Sequence, residues 1–279
     1  MKTRRQCAFR TGAMRMAASG LLYLTQSLTA AATEYPLNIV RNEHRAYLAD
    51  RNNVPFYFNC DITQLMLNRL RIEDVRYYLD TRKAQGYTVF WFIIGLGQGM
   101  TDDHTFINVA PDNAYGVRPF NNSSGDLSEP NDAYFRYARQ IVDEAAARGM
   151  LVGIAPAYVG AGPVHADAPG THSLLLMKRS GRDGCRRYGK YVGAYFKDRS
   201  NVFWIHQGDQ NAYNFGGADS AALVDAVVEG IQTTDTRYDR LHTAVTRDIG
   251  NTVRSSSYRG QLYLFTGLNP NEIGPCKLG

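Results

Sequence analysis

The segment Asn201-Val-Phe-Trp-Ile-His-Gln-Gly-Asp209-Gln-Asn211 runs an apolar stretch with strand character into a carboxylate and amides. A strand built from Val, Phe, Trp and Ile is buried on both faces, as in a parallel sheet. An Asp just past such a strand marks its C-terminal end, where an α/β barrel gathers its reactive groups. Asp61 follows an apolar run over residues 54–60, Tyr158 follows one over 150–157, and Arg247 lies at the end of one over 241–246. Asn113 lies in a long polar stretch between two such units. Carboxylates, amides and aromatic rings on one face suit a sugar, whose hydroxyls need hydrogen bonds and whose apolar faces stack on rings. Asp61, Asn113, Tyr158, Asn211 and Arg247 are candidate sugar contacts, and Asp209 reads as a site residue.

Other chemistries fit less well. Gly95-Leu-Gly97-Gln-Gly99 lacks the G-x-G-x-x-G spacing of a dinucleotide loop, and no helix pattern opens behind it. There is no G-x-S-x-G elbow for a serine nucleophile. His165, Asp167 and His172 share one loop and Asp102, Asp103 and His104 another, neither at metal-ligand spacing. No metal and no cofactor is expected. His206, Trp91 and Trp204 lie within apolar runs and read as core residues.

The elements that must position these groups alternate. Strands are expected over 54–60, 87–94, 150–157, 202–207, 241–246 and 261–266. Helices are expected over 71–85, 131–148, 182–197 and 218–233, from apolar residues at helical spacing and glycine stops at Gly86 and Gly149. Strands alternating with helices over more than 200 residues predict an α/β fold with a parallel sheet. The polar stretch from Gly95 to Pro130 is long enough to be a functional loop.

At 279 residues, 44% hydrophobic and 20% charged, the chain can bury the core of one large domain. Its formal charge of +5 invites a nucleic-acid partner, but residues 1–32 hold Lys2, Arg4, Arg5, Arg10 and Arg15 and no acid. Removing those five from the 31 Lys and Arg leaves 26 bases against 26 acids, so no nucleic-acid surface is implied. The basic opening, the apolar run over 16–28 and Ala30-Ala31-Ala32 read as a secretory signal peptide over 1–32, with the folded domain over 33–279 and a secreted or periplasmic location. No other run could span a membrane. Cys60, Cys185 and Cys276 follow the leader at spacings unlike a zinc motif, and either one disulfide or buried thiols would account for them.

The words of the chain are more specific still. Asn113-Ala-Tyr-Gly-Val-Arg-Pro-Phe120, Glu129-Pro-Asn-Asp-Ala-Tyr-Phe135, Val142-Asp-Glu-Ala-Ala-Ala-Arg-Gly-Met-Leu-Val-Gly153 and Tyr188-Gly-Lys-Tyr-Val-Gly-Ala-Tyr-Phe-Lys-Asp-Arg-Ser-Asn-Val-Phe-Trp-Ile205 occur in order. Together with Gly208-Asp209-Gln-Asn211 they resemble the apiosidase-like family of (β/α)8-barrel glycoside hydrolases, over about residues 35–256. The resemblance implies a TIM-type barrel that cleaves glycosidic bonds in plant cell-wall pectin, with apiose-containing side chains as the substrate class. It also implies a retaining mechanism with Asp209 as general acid/base at the end of strand four, and a nucleophile at the end of strand seven.

The chain departs from the family pattern in Gln207-Gly-Asp209-Gln210-Asn211 where Gly-Gly-Asp-Arg-Asn is usual, and in Cys60-Asp61-Ile-Thr-Gln64 where a Gly-Asp-Thr-Ala-Trp pattern is usual. It departs again in Thr246-Arg247-Asp248, where a His-Pro-Arg pattern is usual. Six strands are counted before Gly279, so the expectation is a barrel truncated after about six strands and without its strand-seven nucleophile. Glu272 is a poor substitute, because a neighbouring position would have to reproduce a carboxyl spacing of about 5 Å. The rival reading is a non-catalytic carbohydrate-binding fragment of such an enzyme.

Overall fold

Helical periodicity alternates with aromatic and β-branched runs, and the fold follows that alternation. The computed structural model describes residues 33–41, 46–95, 99–100, 106–107, 112–123, 126–158, 172–206, 217–235 and 242–244. The leader over 1–32, the sixth strand expected over 261–266, Cys276, Asp209, Asn211, Arg247 and Glu272 lie outside the described residues. So do Asp102, Asp103, His104, His165 and Asp167.

The chain enters through an antiparallel hairpin, β1 (Asn38–Arg41) with β2 (Ala46–Ala49). There follow β3 (Cys60–Ile62), α1 (Met66–Arg69), α2 (Ile72–Ala84) and β4 (Val89–Ile93). A small antiparallel pair, β5 (Gly99–Met100) with β6 (Phe106–Ile107), lies in the long polar stretch, and α3 (Asp132–Ala147) and β7 (Leu151–Ala157) come next. The described chain ends with α4 (His172–Phe196), β8 (Val202–His206), α5 (Gly217–Thr234) and β9 (His242–Ala244).

The strands β3-β4-β7-β8-β9 pair in that order and all in parallel. Right-handed crossovers between strands that never reverse order place every helix on one side of the sheet. The other side must then be buried by the sheet curving on itself, which is the wall of a barrel. Two apolar clusters match these sides. Phe90 and Phe92 of β4, Val152 and Ile154 of β7, and Val202 and Trp204 of β8 pack toward the helices. Val89, Trp91, Ile93, Leu151, Ala155, Phe203 and Ile205 form the inner cluster. Leu37, just before β1, and Leu48 of β2 join the inner cluster, and the Tyr35 hydroxyl donates to the Gly149 carbonyl ahead of β7 at 3.1 Å, so this segment lies at the N-terminal end of the sheet.

Local chemistry sets the element ends. Glu73 and Asp74 lie in the first turn of α2 and Arg82 and Lys83 in its last, signs that complement the helix dipole. Asn131 caps α3, its side chain accepting from the Ala133 N–H at 3.1 Å. The two last helices touch backbone to backbone: a Cβ on Gly189 would sit 2.0 Å from the Val227 carbonyl oxygen, and one on Gly230 2.1 Å from that of Arg186.

Three sequence expectations change. The first core strand, expected over 54–60, is instead β3 at Cys60–Ile62. The aromatic run before it pairs with the hairpin, Phe56 N–H donating to the Leu48 carbonyl. Phe56 and Phe58 then pack edge-on between Tyr35 and Phe203, so that run is apolar because it plugs the inner cluster. Ahead of the helix expected from residue 182, an unanticipated helical arm begins at His172, and the two meet as α4 across a kink at the non-helical Gly181, with φ 63° and ψ 178°. The β1–β2 and β5–β6 hairpins were not anticipated.

Candidate active site

The described C-terminal strand ends carry Thr63 and Gln64 after β3, Ile94 and Gly95 after β4, Tyr158 after β7 and His206 closing β8. β7 holds one more residue than its partner over the same stretch, since Ile154 faces Trp204 and Ala157 faces His206. Such a bulge reverses the alternation of side chains. Ala157 accordingly packs with the helices while Tyr158 turns into the inner cluster. There its ring stacks on Trp91, centroids 5.9 Å apart at 26°. Gln64 Nε2 donates to the Tyr158 hydroxyl at 3.1 Å, and the Gln64 carbonyl accepts from the Ile93 N–H at 3.2 Å. The stack needs room beneath it: a Cβ on Gly153 would fall 2.6 Å from Trp91 Cβ and 2.7 Å from both Ile205 and Phe203.

Two buried tyrosines pin the roots of the loops above. The Tyr188 hydroxyl lies within hydrogen-bonding distance of the Ile94 and Pro156 carbonyls, at 3.2 and 3.1 Å. Gly95 N–H donates to the Tyr134 hydroxyl at 3.3 Å. Gly95 has φ 69°, and a Cβ there would lie 2.5 Å from the Tyr188 oxygen, so both its conformation and its surroundings require glycine. Burial holds the Tyr188 phenol well above its ordinary pKa, which keeps it a neutral donor.

The candidate contacts do not all converge on this face. Asp61 lies inside β3 opposite Phe90, so it points to the helix side. Its carboxylate accepts from the Tyr78 hydroxyl at 2.8 Å and pairs with Arg82 Nε at 2.5 Å. The expectation of a sugar contact came from ending the strand at residue 60, two residues before its end at Ile62. Asn113 is buried and folds its own turn, Oδ1 accepting from the Tyr115 and Val117 N–H groups at 2.9 and 3.1 Å. Tyr158 is at the strand end as expected but fully buried, so it supports Gln64 from below. His206 is buried in β8, as anticipated, and Trp204 packs toward the helices with its indole N–H donating to Asp235 at 2.9 Å.

Sequence reasoning missed Gln64, which is half-buried and borders a shallow cavity of about 470 Å3. The signal was present: once the strand is placed at Cys60–Ile62, Gln64 is the second residue past its end. Among the described residues no group of His, Cys, Asp and Glu is arranged to hold a metal ion. No described helix is long and apolar enough to cross a membrane.

Residues 42–261 match the model of the apiosidase-like catalytic domain. The chain belongs to the apiosidase-like family. No curated protein matches its sequence. Among solved structures, the apiosidase-like chain resembles a glycoside hydrolase family 5 protein from Bacteroides vulgatus, with TM-score 0.54, 21% identity and 77% of this chain against 42% of that one. A putative glycoside hydrolase from the same organism aligns with TM-score 0.51, 13% identity and coverages of 77% and 39%. A third, described as a glycoside hydrolase, gives TM-score 0.51, 21% identity and coverages of 75% and 41%. The chain thus spans about two fifths of the length of these solved chains. At such identities the likeness concerns the fold, and it agrees with the barrel wall built by β3, β4, β7, β8 and β9. The α/β barrel expected from sequence is borne out.

Proposed function

We propose that this chain acts as a glycoside hydrolase on plant cell-wall polysaccharide, with apiose-containing pectin side chains as its substrate class. The observation that carries the reading is the match to an apiosidase-like catalytic domain across residues 42–261, a span that includes Asp209. Asp209 lies three positions past the last residue of β8, and strand ends of that kind hold the reactive groups of barrel enzymes. In this proposal Asp209 is the general acid/base, protonating the glycosidic oxygen as the bond breaks. A retaining mechanism requires a second carboxylate about 5–5.5 Å away as nucleophile, expected from a barrel strand beyond the five described. Gln64, Asn211 and Arg247 are proposed to contact sugar hydroxyls, and Tyr158 to hold the Gln64 amide in position. Residues 1–32 are proposed to direct export.

The test is release of reducing sugar from apiose-containing pectic oligosaccharides by the full chain and by Asp209→Asn. The expected loss is about a thousandfold or more, the size of effect of removing an essential acid/base. Equal inactivity of both proteins, with the oligosaccharide still binding, would overturn the hydrolase reading in favour of a carbohydrate-binding role.

A further inference from the structure

A second cavity, of about 270 Å3, lies between the segment over 126–130 and α4 and shares no lining residue with the cavity beside Gln64. Its two walls differ in chemistry. The loop wall presents Asp126 and Glu129, and the helix wall presents Arg179, Arg187 and Tyr191. The walls are fixed to each other, because the Leu127 N–H donates to Ser180 Oγ at 2.8 Å and Leu127 is itself buried. The loop is closed at its base by Asn121 N–H donating to the Glu129 carbonyl at 2.9 Å and by the Phe120–Pro130 bridge. The cavity is therefore preformed.

Its arginines stand out against their own helix. Arg182 and Arg186 both pair with Glu229 of α5, and Arg186 also with Asp183. Arg179 and Arg187 are exposed, and among the described residues neither has a carboxylate within ion-pairing distance. The Tyr191 hydroxyl is buried and makes no hydrogen bond among the described residues. Glu129 adopts φ 54°, a conformation that a glutamate holds only where its surroundings impose it.

We propose that this cavity is a carbohydrate site distinct from the one beside Gln64, and that it takes an acidic sugar residue, a uronate. Guanidinium groups match a carboxylate in shape and charge. On the opposite wall Asp126 is engaged by the Ser128 N–H and hydroxyl, at 2.8 and 2.5 Å, and the Glu129 carboxylate accepts from ring hydroxyls, while a tyrosine edge covers the apolar part of a sugar ring. A simple anion would use only the basic wall, and a neutral sugar would leave the two arginines unmatched. The inference goes beyond the hydrolase reading and needs no catalytic residue.

The test is calorimetric titration of the full chain with galacturonate, galactose and inorganic phosphate. Galacturonate is expected to bind at least tenfold more tightly than either of the others. It is expected to bind at least tenfold more weakly to the Arg179→Gln/Arg187→Gln double variant, whose fold is checked by an unchanged melting curve. Gln64→Ala, which alters the strand-end mouth, is expected to leave galacturonate binding unchanged. Undiminished binding to the double variant, loss in Gln64→Ala instead, or galactose or phosphate binding as tightly as galacturonate would each overturn the inference. Binding of galacturonate by an Asp209→Asn chain that hydrolyses nothing would leave it standing, so its fate is separable from that of the hydrolase reading.

Discussion

Gln64 and Tyr158 stand 94 positions apart in the chain and meet at 3.1 Å, the amide of one donating to the phenol oxygen of the other. The contact ties the exit of β3 to that of β7 across the intervening β4, whose Trp91 lies beneath the Tyr158 ring. It exists only because the extra residue in β7 turns Tyr158 inward; without it the phenol would face the helices.

Tyr158→Phe keeps the ring on Trp91 and removes only the oxygen that Gln64 donates to. The expected cost is about 1 kcal/mol in stability, the ordinary worth of one such hydrogen bond. Loss of a fixed Gln64 orientation is expected to lower kcat/KM by about tenfold if the amide reads a sugar hydroxyl. Tyr158→Ala also empties a fully buried site and should cost about 3–5 kcal/mol. Denaturant unfolding of the two variants, read beside their kinetics, separates these contributions. Equal stability and activity in Tyr158→Phe and the native chain would remove this contact from the site.

The fold was legible where one pattern had one cause. Residues 89–93, 151–157 and 202–206 are apolar on both faces because helices cover one and the barrel interior the other, and their positions emerge from sequence almost unchanged. The run over 54–60 carries the same composition for another reason, since Phe56 and Phe58 plug the inner cluster from outside the ladder. Composition alone does not distinguish a strand from a plug. That shift moved the site reading with it, from Gln64 to Asp61. Asn113 was legible as a special residue, but a buried amide that closes a turn and one that binds a sugar look alike until its partners, here Tyr115 and Val117, are known.

Gly153 and Gly189 report two different close approaches. At Gly153 the neighbours are side chains of the inner cluster, which can give slightly, so Gly153→Ala is expected to cost about 1–3 kcal/mol as overpacking. At Gly189 the neighbour is the Val227 backbone, which can move only if α4 and α5 separate. Gly189→Ala should therefore be the more damaging, above about 3 kcal/mol. Comparison of their denaturant midpoints decides the order, and the reverse order would mean that the two helices are less closely apposed than described.

Glu144 lies between Arg148 and Arg76, at 2.8 and 2.7 Å, and Arg148 also reaches Asp80 at 2.7 Å. Hydrogen bonds from Arg148 first, and then from Arg76, hold its carboxyl below the usual carboxylate range. A pKa lowered on folding contributes stability above the unfolded value, near 4.3 for Glu, and loses it as pH falls through the folded value. The denaturant midpoint of the native chain is expected to drop as pH is lowered from about 5 to about 3. Glu144→Gln should be about 1 kcal/mol less stable at neutral pH and show a shallower acid slope. Parallel slopes in the two proteins would mean that Glu144 does not supply the linkage.

Cys60 and Cys185 are both free thiols, and neither is poised to react. Burial is the main cause that pushes each thiol up to about 12, with the Asp61 carboxylate adding to the effect at Cys60. Only the thiolate is nucleophilic, so at pH 8 the ionised fraction of either is about one in ten thousand. Cys185 is also inaccessible, its Sγ donating to the Met177 carbonyl at 3.6 Å within the helix-side core. A disulfide-exchange reagent at pH 8 is therefore expected to label Cys185 only as fast as the protein opens. The rate should rise with denaturant in step with global unfolding and should change little between pH 7 and pH 8.5 if opening is the slow step. Peptide mapping of the labelled chain checks this site by site. Rapid labelling of Cys185 in the absence of denaturant would show that α4 opens locally, and would place its packing against α5 among the weaker contacts of the domain.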